Sequence, residues 1–489
     1  MTTVDTARTG RVNSTAILAI ILISYFMILL DNSVIFTGLP SIAAEMGYSA
    51  SGLSWVQDAY TLVFGGLLLL GARLGDIFGR RRVFVAGLAI FAAASFLVGV
   101  APNGWWLIAA RAVQGVGAAV VAPASLSLLT ASFPPGRERT RAVAWYGAAA
   151  GIGASLGLVI GGALADWVSW RAGFFINVPI GIAMIVLAPR FIPETKPSTG
   201  RFDVAGAVYA TLGMAALVFG IVNSAEAGAA SPTTFLPLTL GVVLLALLVR
   251  NESRAEQPIM PLRLFRSRER SGAYTARMLY LGAMIGFFYF TTQLLQGAMG
   301  FSAFQAGVAF FPMTVVNFAI ALLIPRLTPR FGNAPLLAAG VALTLVGMTW
   351  LSFVHSGNTY LSSVALPMIL IGAGQGLAFA PLTAAGITGV NADDAGAASG
   401  LVNTAHQLGS ALGLGILVAI SAGAGSAAES PKEALTEHVS TALTAGAGLL
   451  AGCLVIVLVF IVPSAGKRRQ VDSHPNIVHS QHKEFPWRF

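Results

Sequence analysis

The chain has 489 residues, 56% of them hydrophobic and only 10% charged, with 55 glycines and a single cysteine. So few charged side chains cannot cover the surface of an ordinary soluble protein, and one thiol excludes both an internal disulfide and a cysteine metal cluster. The net charge of +9 would suit a nucleic-acid partner, but its placement along the chain excludes that reading too.

Fourteen apolar runs are long enough to cross a hydrocarbon core as helices, which takes roughly 20 residues each. In chain order they cover 16–38, 53–72, 83–101, 105–129, 142–165, 172–192, 204–223, 234–250, 273–297, 305–325, 334–354, 362–389, 397–421 and 440–463. Arg8 and Arg11 precede the first run, but no short apolar core with a small-residue cleavage site follows them, so an uncleaved first span is expected. With the N-terminus inside, all but three of the 29 Lys and Arg fall in the tails, cytoplasmic loops or adjoining helix ends, among them Arg80, Arg81, Arg82, Arg137, Arg139, Arg141, Arg266, Arg268 and Arg270. The exceptions are Arg171 and Lys432, outside, and Arg111, within a helix. That asymmetry sets the orientation, and an even helix number then puts both termini in the cytoplasm. Trp55, Trp105, Trp106, Trp167 and Trp170 fall at the outer ends, where indoles favour the headgroup zone. The expected surroundings are therefore a lipid bilayer, with no nucleic acid.

Inside the first run, in FMILLDNSVIF, stands Asp31. A lone carboxylate there costs about 2.5 to 3.5 kcal/mol on insertion scales, which points to function. It lies about 12 Å along its helix from Leu39, and Arg111 about 9 Å in from Trp105, at 1.5 Å per residue. The two share a depth. Apolar surroundings raise the proton affinity of a carboxylate and a neighbouring guanidinium lowers it, so a movable pairing would make a proton switch; a fixed ion pair between the two helices is the other reading. Arg111, Gln114, Gly115, Ala118 and Ala122 recur at helical spacing as a narrow polar and small face. Asp58, about 5 to 8 Å inside the second run, reads either as proton-linked or as a solvated residue at the mouth.

Short echoes recur at an offset of eight helices: LGDIFGR (74–80) and LTPRFGN (327–333), VQG (113–115) and GQG (374–376), ASLGL (154–158) and SALGL (410–414). Two six-helix halves separated by a two-helix insertion explain that register, an architecture from which rocking transporters are built.

LDNSVIFTGLP (30–40), LGDIFGRRR (74–82), RAVQGVGAA (111–119), GASLGLVIGG (153–162) and WRAGFFINVPIG (170–181) resemble, in order, the marker motifs of the fourteen-helix drug:proton antiporters of the major facilitator superfamily. RLF (263–265), FAPLT (379–383) and ASGLVNTAHQLGSALG (398–413) are similar to the second half of that family. The resemblance implies an all-α integral membrane protein of the major facilitator fold, with 14 transmembrane helices arranged as two six-helix bundles plus a two-helix insertion. The corresponding divisions are 1–200, 201–252 and 253–464, with 465–489 an expected disordered cytoplasmic tail. It also implies that Asp31 and Arg111 are the protonation and coupling elements. In the loop after helix 2 it implies a latch of Gly75, Asp76, Gly79 and Arg80 that stabilises the outward-open state, the acid binding the positive end of a neighbouring helix. Ala72 replaces the glycine that usually opens this motif. Gly153, Gly157 and Gly161, at intervals of four, and Gly162 beside them are a packing surface, for which the family implies a contact between the halves. Leu158 stands where the antiporter motif has proline.

Polar and aromatic residues supply the candidate cargo contacts: Gln114, Tyr289, Gln293, Gln296, Asn317, Asn403, His406 and Gln407. Helix 10 has no core carboxylate, which favours lipophilic or singly charged cargo over highly charged cations. GASLG and GAGQG match hydrolase and dinucleotide patterns but lack the preceding strand those need, and no phosphate-binding loop of the G-x-x-x-x-G-K-[ST] type is present. The expected function is proton-driven export of hydrophobic or amphipathic small molecules by alternating access. The protein would work without a cofactor or a metal, as a monomer, in a bacterial plasma membrane; 25 Arg against 4 Lys fits a GC-rich source. Rival readings are a dedicated exporter or importer of one metabolite and, from another class, a membrane sensor or enzyme.

Overall fold

The computed structural model describes residues 14–134, 136–195, 203–228, 230–355, 357, 359–391 and 394–464. The tail 465–489 lies outside the described residues, as do Arg8 and Arg11. The fold is all-helical. Its long helices are α1 Ser14–Met46, α2 Ala50–Phe78, α3 Arg80–Gly99, α4 Gly104–Ser132, α5 Arg137–Trp167, α6 Ala172–Phe191 and α7 Val204–Ala227. They continue as α8 Pro232–Glu252, α9 Arg268–Ala298, α10 Ala303–Phe331, α11 Asn333–Ser352, α12 Leu361–Gly386, α13 Ala395–Ser421 and α14 Pro431–Ser464. Thirteen are long and apolar enough to cross a membrane; α5, the other, carries a shorter apolar stretch, Ser155–Trp167. The chain is a multi-pass integral membrane protein. The side on which α1 begins and α14 ends is called the termini face below, and the opposite side the far face.

Most helices outrun their apolar cores, because hydrogen bonding and capping continue a helix where hydropathy stops. α1 does not end near residue 38 but runs through Pro40 to Met46, which lets Glu45 accept from the Trp170 indole at 2.6 Å and pair with Arg171 at 2.5 Å. Trp170 is thereby buried rather than turned to the headgroups, whereas Trp105 and Trp167 are well exposed. LGDIFGR is not a loop: Asp76 lies in the last turn of α2, Arg80 opens α3, and the connection is the single residue Gly79 at φ 98°. Its echo does the same, with Gly332 at φ 84° as the sole residue between α10 and α11. Both backbones sit where only glycine is at ease.

The other echoes also occupy matching places. Gly115 of α4 lies against the Tyr60 carbonyl of α2, and Gly376 of α12 against the Asn317 carbonyl of α10. Gly157 of α5 packs on Leu30 and Ser33 of α1, and Gly413 of α13 on Gly282 of α9. Helices α1–α6 pack among themselves, as do α9–α14; α7 and α8 pair and lean on α2 and α13, which join the two sets. Thr211 of α7 fills the notch at Gly66, and Val218 faces Gly415.

Helix association in lipid rests on close packing of such small residues. A Cβ at Gly413 would overlap the Gly282 backbone, whereas one at Gly147 would touch nothing among the described residues. Overpacking typically costs about 1 to 3 kcal/mol. Gly413→Val should therefore lower the melting temperature of the detergent-purified protein and reduce its monodisperse yield, and Gly147→Ala should change neither.

A short 3₁₀ segment, Leu262–Arg266, crosses under α9 and is pinned to the start of α13 by Arg263, whose Nε and Nη2 donate to Asp394 at 2.8 and 2.6 Å. The guanidinium holds the Asp394 carboxyl below its usual range. A depressed carboxyl stabilises fully above its unfolded value, about 3.9, and that contribution disappears as pH falls through the lower, folded value. The hydrogen-exchange protection of residues 262–266, taken relative to the intrinsic rate at each pH, should be unchanged from pH 7 to 5 and should fall below about pH 4. Arg263→Met should lower that protection at every pH.

Candidate functional site

At the middle of the α1–α6 set, Asp31 and Arg111 are both 0% exposed and in direct contact, Arg111 Nη1 donating to Asp31 Oδ2 at 2.8 Å. Gln114, one turn along α4, donates to Asp31 Oδ1 at 2.8 Å and to Ser95 of α3 at 2.7 Å, and accepts from Arg111 at 2.6 Å. Asn177 of α6 also donates to Asp31 Oδ1, at 2.7 Å. Arg111 Nε donates to the Val56 carbonyl of α2 at 3.0 Å, and the guanidinium lies 4.3 Å from the Tyr60 ring centre. Five helices thus converge on one carboxylate. Three donors on its two oxygens suit an acceptor-only, ionised group. Arg111 Nη2, by contrast, is a buried donor with no hydrogen-bond partner among the described residues, and Asn177 Oδ1 is likewise an acceptor without one, so the network is not closed.

Asn177 is a functional candidate that the sequence alone does not single out, although it lies in WRAGFFINVPIG. The available signal is an amide in an otherwise apolar helix, the kind of residue that donates across helices.

Asp58 is not solvated: it is 0% exposed, and neither carboxylate oxygen has a hydrogen-bond partner among the described residues. Tyr289 of α9 lies within its electrostatic reach, from the other set of helices. The neighbouring Gln57 turns the other way, to Asn32 of α1 at 2.8 Å.

The cargo candidates do not gather at one place. Gln293 donates back to the Tyr289 carbonyl at 3.3 Å, and Gln296 donates to the Thr37 carbonyl of α1 at 3.0 Å. Asn317 is half-buried on α10. Asn403 is exposed and bonds within α13, Gln407 packs on Gly65 of α2, and His406 lies beside Arg277 of α9. Hydropathy places Arg277 with the basic residues at helix ends, and the structure corrects this. α9 begins at Arg268, earlier than the apolar run, so Arg277 lies nine residues in and is 3% exposed.

The two helix sets touch at the far face. Gly162 of α5 meets the Ala303 carbonyl, Gly307 of α10 meets the Leu158 carbonyl, and the Asp166 carboxylate accepts from the backbone N–H of Ala303 at 2.9 Å and of Phe304 at 2.8 Å. Gly153, Gly157 and Gly161 face α1 of their own set, so the contact between the sets falls to Gly162 alone of the four. The stripe points to α1 because an interval of four follows one helical face, and Gly162 lies about 100° round from it.

On the termini face, Arg80 Nη2 pairs with Asp76 at 3.0 Å and Nη1 donates to the Ser127 carbonyl of α4 at 3.3 Å. The acid at the start of α3 is Glu194, accepting from the backbone N–H of Arg81 and Arg82 at 3.1 Å each, with Thr195 accepting from that of Arg80 at 3.0 Å. Gly79 leaves room for the Glu194 carboxylate, which a Cβ would meet at 2.8 Å.

Asp166 on the first amides of α10 is a charge-assisted cap, worth about 1.5 to 3 kcal/mol. Asp166→Asn should therefore populate far-face opening about tenfold more. The check is alkylation, by a membrane-impermeant maleimide, of a cysteine placed at Thr37; an unchanged rate would show that the cap does not hold this face shut.

Comparison with known proteins places these features. The sequence profile of the Major Facilitator Superfamily matches residues 21–414. The cephamycin export protein CmcT of Amycolatopsis lactamdurans is 38% identical over 483 residues, covering 97% of each chain. The puromycin resistance protein pur8 of Streptomyces alboniger is 36% identical over 413 residues, covering 83% of this chain and 82% of that one. Among solved structures, a bacterial homologue of the human lysosomal transporter Spinster superposes with a TM-score of 0.66 at 15% identity, covering 92% of this chain and 97% of that one. With its helices in that arrangement and its profile matched over most of its length, the chain belongs to the major facilitator superfamily, a family of transporters and not of enzymes.

Proposed function

We propose that this protein exports amphipathic small molecules, antibiotics among them, in exchange for protons. Its relatives, a cephamycin exporter and a puromycin resistance protein, support the cargo class. The positive-inside pattern supports a cytoplasmic termini face in a bacterial plasma membrane. The helices α1–α6 and α9–α14 are the two rocking bundles, and α7–α8 is the insertion between them.

One observation carries the coupling: Asp31 is wholly buried and is held as an anion by Arg111, Gln114 and Asn177 while the far face is closed. Breaking a buried pair by removing one charge costs about 3 to 5 kcal/mol. Proton uptake at Asp31 neutralises the carboxylate, frees Arg111 and redistributes five helices at once. In the closed-far-face state the proton has left toward the cytoplasm and cargo enters from there. Protonation from outside accompanies the opposite stroke. One charge moving through 100 mV supplies about 2.3 kcal/mol, and each pH unit about 1.4, so the gradient is commensurate with the switch. Asp58 is the second proton carrier. An ionised carboxylate with no donor costs several kcal/mol, and in this state Asp58 carries its proton. Asp76 with Arg80, and Asp166 with α10, are the latches of the two faces.

The test is transport in proteoliposomes with an imposed pH gradient, using ethidium and puromycin as probes. Asp31→Asn should reduce gradient-driven uptake about tenfold or more while downhill equilibration persists. Undiminished gradient-driven transport by this variant would reject the switch, and gradient-independent equilibration by the unaltered protein would identify a uniporter.

A further inference from the structure

Among the described residues, Arg277 has no acid. Its Nη1 donates to Thr383 of α12 at 2.8 Å, its Nη2 lies 3.3 Å from His406 Nδ1 of α13, and its guanidinium sits 4.3 Å from the Phe379 ring centre. Its Nε is buried with no partner, and no carboxylate pairs with it among the described residues. A guanidinium keeps its charge at any working pH, so this is a permanent, uncompensated cation inside the membrane-spanning part. Arg111, equally buried, has Asp31 as counter-ion.

The surroundings show what would neutralise it. Within electrostatic reach of Arg277 is Tyr25 of α1, stacked on Tyr146 of α5 with ring centres 4.0 Å apart and planes 10° from parallel. Phe379 is 39% exposed, and Asn403, one turn from His406 toward the termini face, is exposed. The cluster therefore has aromatic walls from both helix sets and an open side. Arg277 lies about 13 Å along α9 from Arg268, and Tyr25 about 9 Å nearer the termini face than Asp31, at 1.5 Å per residue.

We propose that Arg277 is the recognition site for an organic anion, a flat amphipathic molecule carrying one carboxylate, bound between the guanidinium and the Tyr25–Tyr146 pair. The free Nε–H and the loosely held Nη2–H form the fork that a carboxylate takes up side-on. His406 and Thr383 position the guanidinium, and the exposed ring of Phe379 with the stacked tyrosines holds the apolar body. This rests on the export reading above and names its cargo. The 38%-identical cephamycin exporter is consistent with it, cephamycins being carboxylates.

The experiment measures direct binding of cefoxitin and of its methyl ester to the full-length protein purified in detergent, by isothermal calorimetry, with and without added phosphatidylglycerol. The carboxylate should bind at least about tenfold more tightly than the ester. Arg277→Gln should abolish that preference and Arg277→Lys should retain part of it. Equal binding of acid and ester by the unaltered protein, or binding of neither, overturns the proposal. So does an acid preference that survives Arg277→Gln, and so does loss of all cefoxitin binding on addition of phosphatidylglycerol, which would make a lipid headgroup the occupant. Absence of gradient-driven transport of every probe by the unaltered protein would instead refute the export reading.

Discussion

A carboxylate and a guanidinium placed beyond the reach of water must satisfy each other, and most of this molecule is arranged round that requirement. Asp31 and Arg111 draw donors and acceptors from α1, α2, α3, α4 and α6 because nothing else is there to solvate them. That network ties five helices to one point. It also makes the set sensitive to a single proton, since neutralising Asp31 removes the anion on which Arg111, Gln114 and Asn177 converge.

The two faces are governed by a second kind of interaction, acids on the exposed amides of helix N-termini. Asp166 caps α10 across the boundary between the sets, and Glu194 caps α3 within one of them. The first joins the two sets at the far face; the second lies with the Asp76–Arg80 pair on the termini face, within the first set. Small residues do the remaining work, bringing backbones close enough for dispersion to act where there is no hydrophobic drive between helices.

Hydropathy makes the helices legible, because an apolar run of the right length is hard to bury in any form but a spanning helix. Counting residues along two runs puts Asp31 and Arg111 at one depth, and they touch. What escapes such a reading are facts that depend on helix ends and neighbours. Arg277 reads as a helix-end charge because α9 starts before its apolar run does, and capping by Ser267 is a weak signal in a sequence. Glu194 sits in a stretch that looks like plain connection, and only the fold brings it to α3. The glycine stripe of α5 announces close packing but not its partner, since periodicity names a face without saying what lies opposite. Asp58 looks shallow along α2, yet it is wholly buried, with Tyr289 of the other helix set within its electrostatic reach.

The one-residue joints at Gly79 and Gly332 have a mechanical corollary. Neighbouring Cα atoms are about 3.8 Å apart, so neither α2 and α3 nor α10 and α11 can slide past one another by more than that without unwinding. Each pair acts as a stiff lever. Displacement at one end must be transmitted whole to the other, and flexing between the bundles is left to the longer connections that carry α7 and α8.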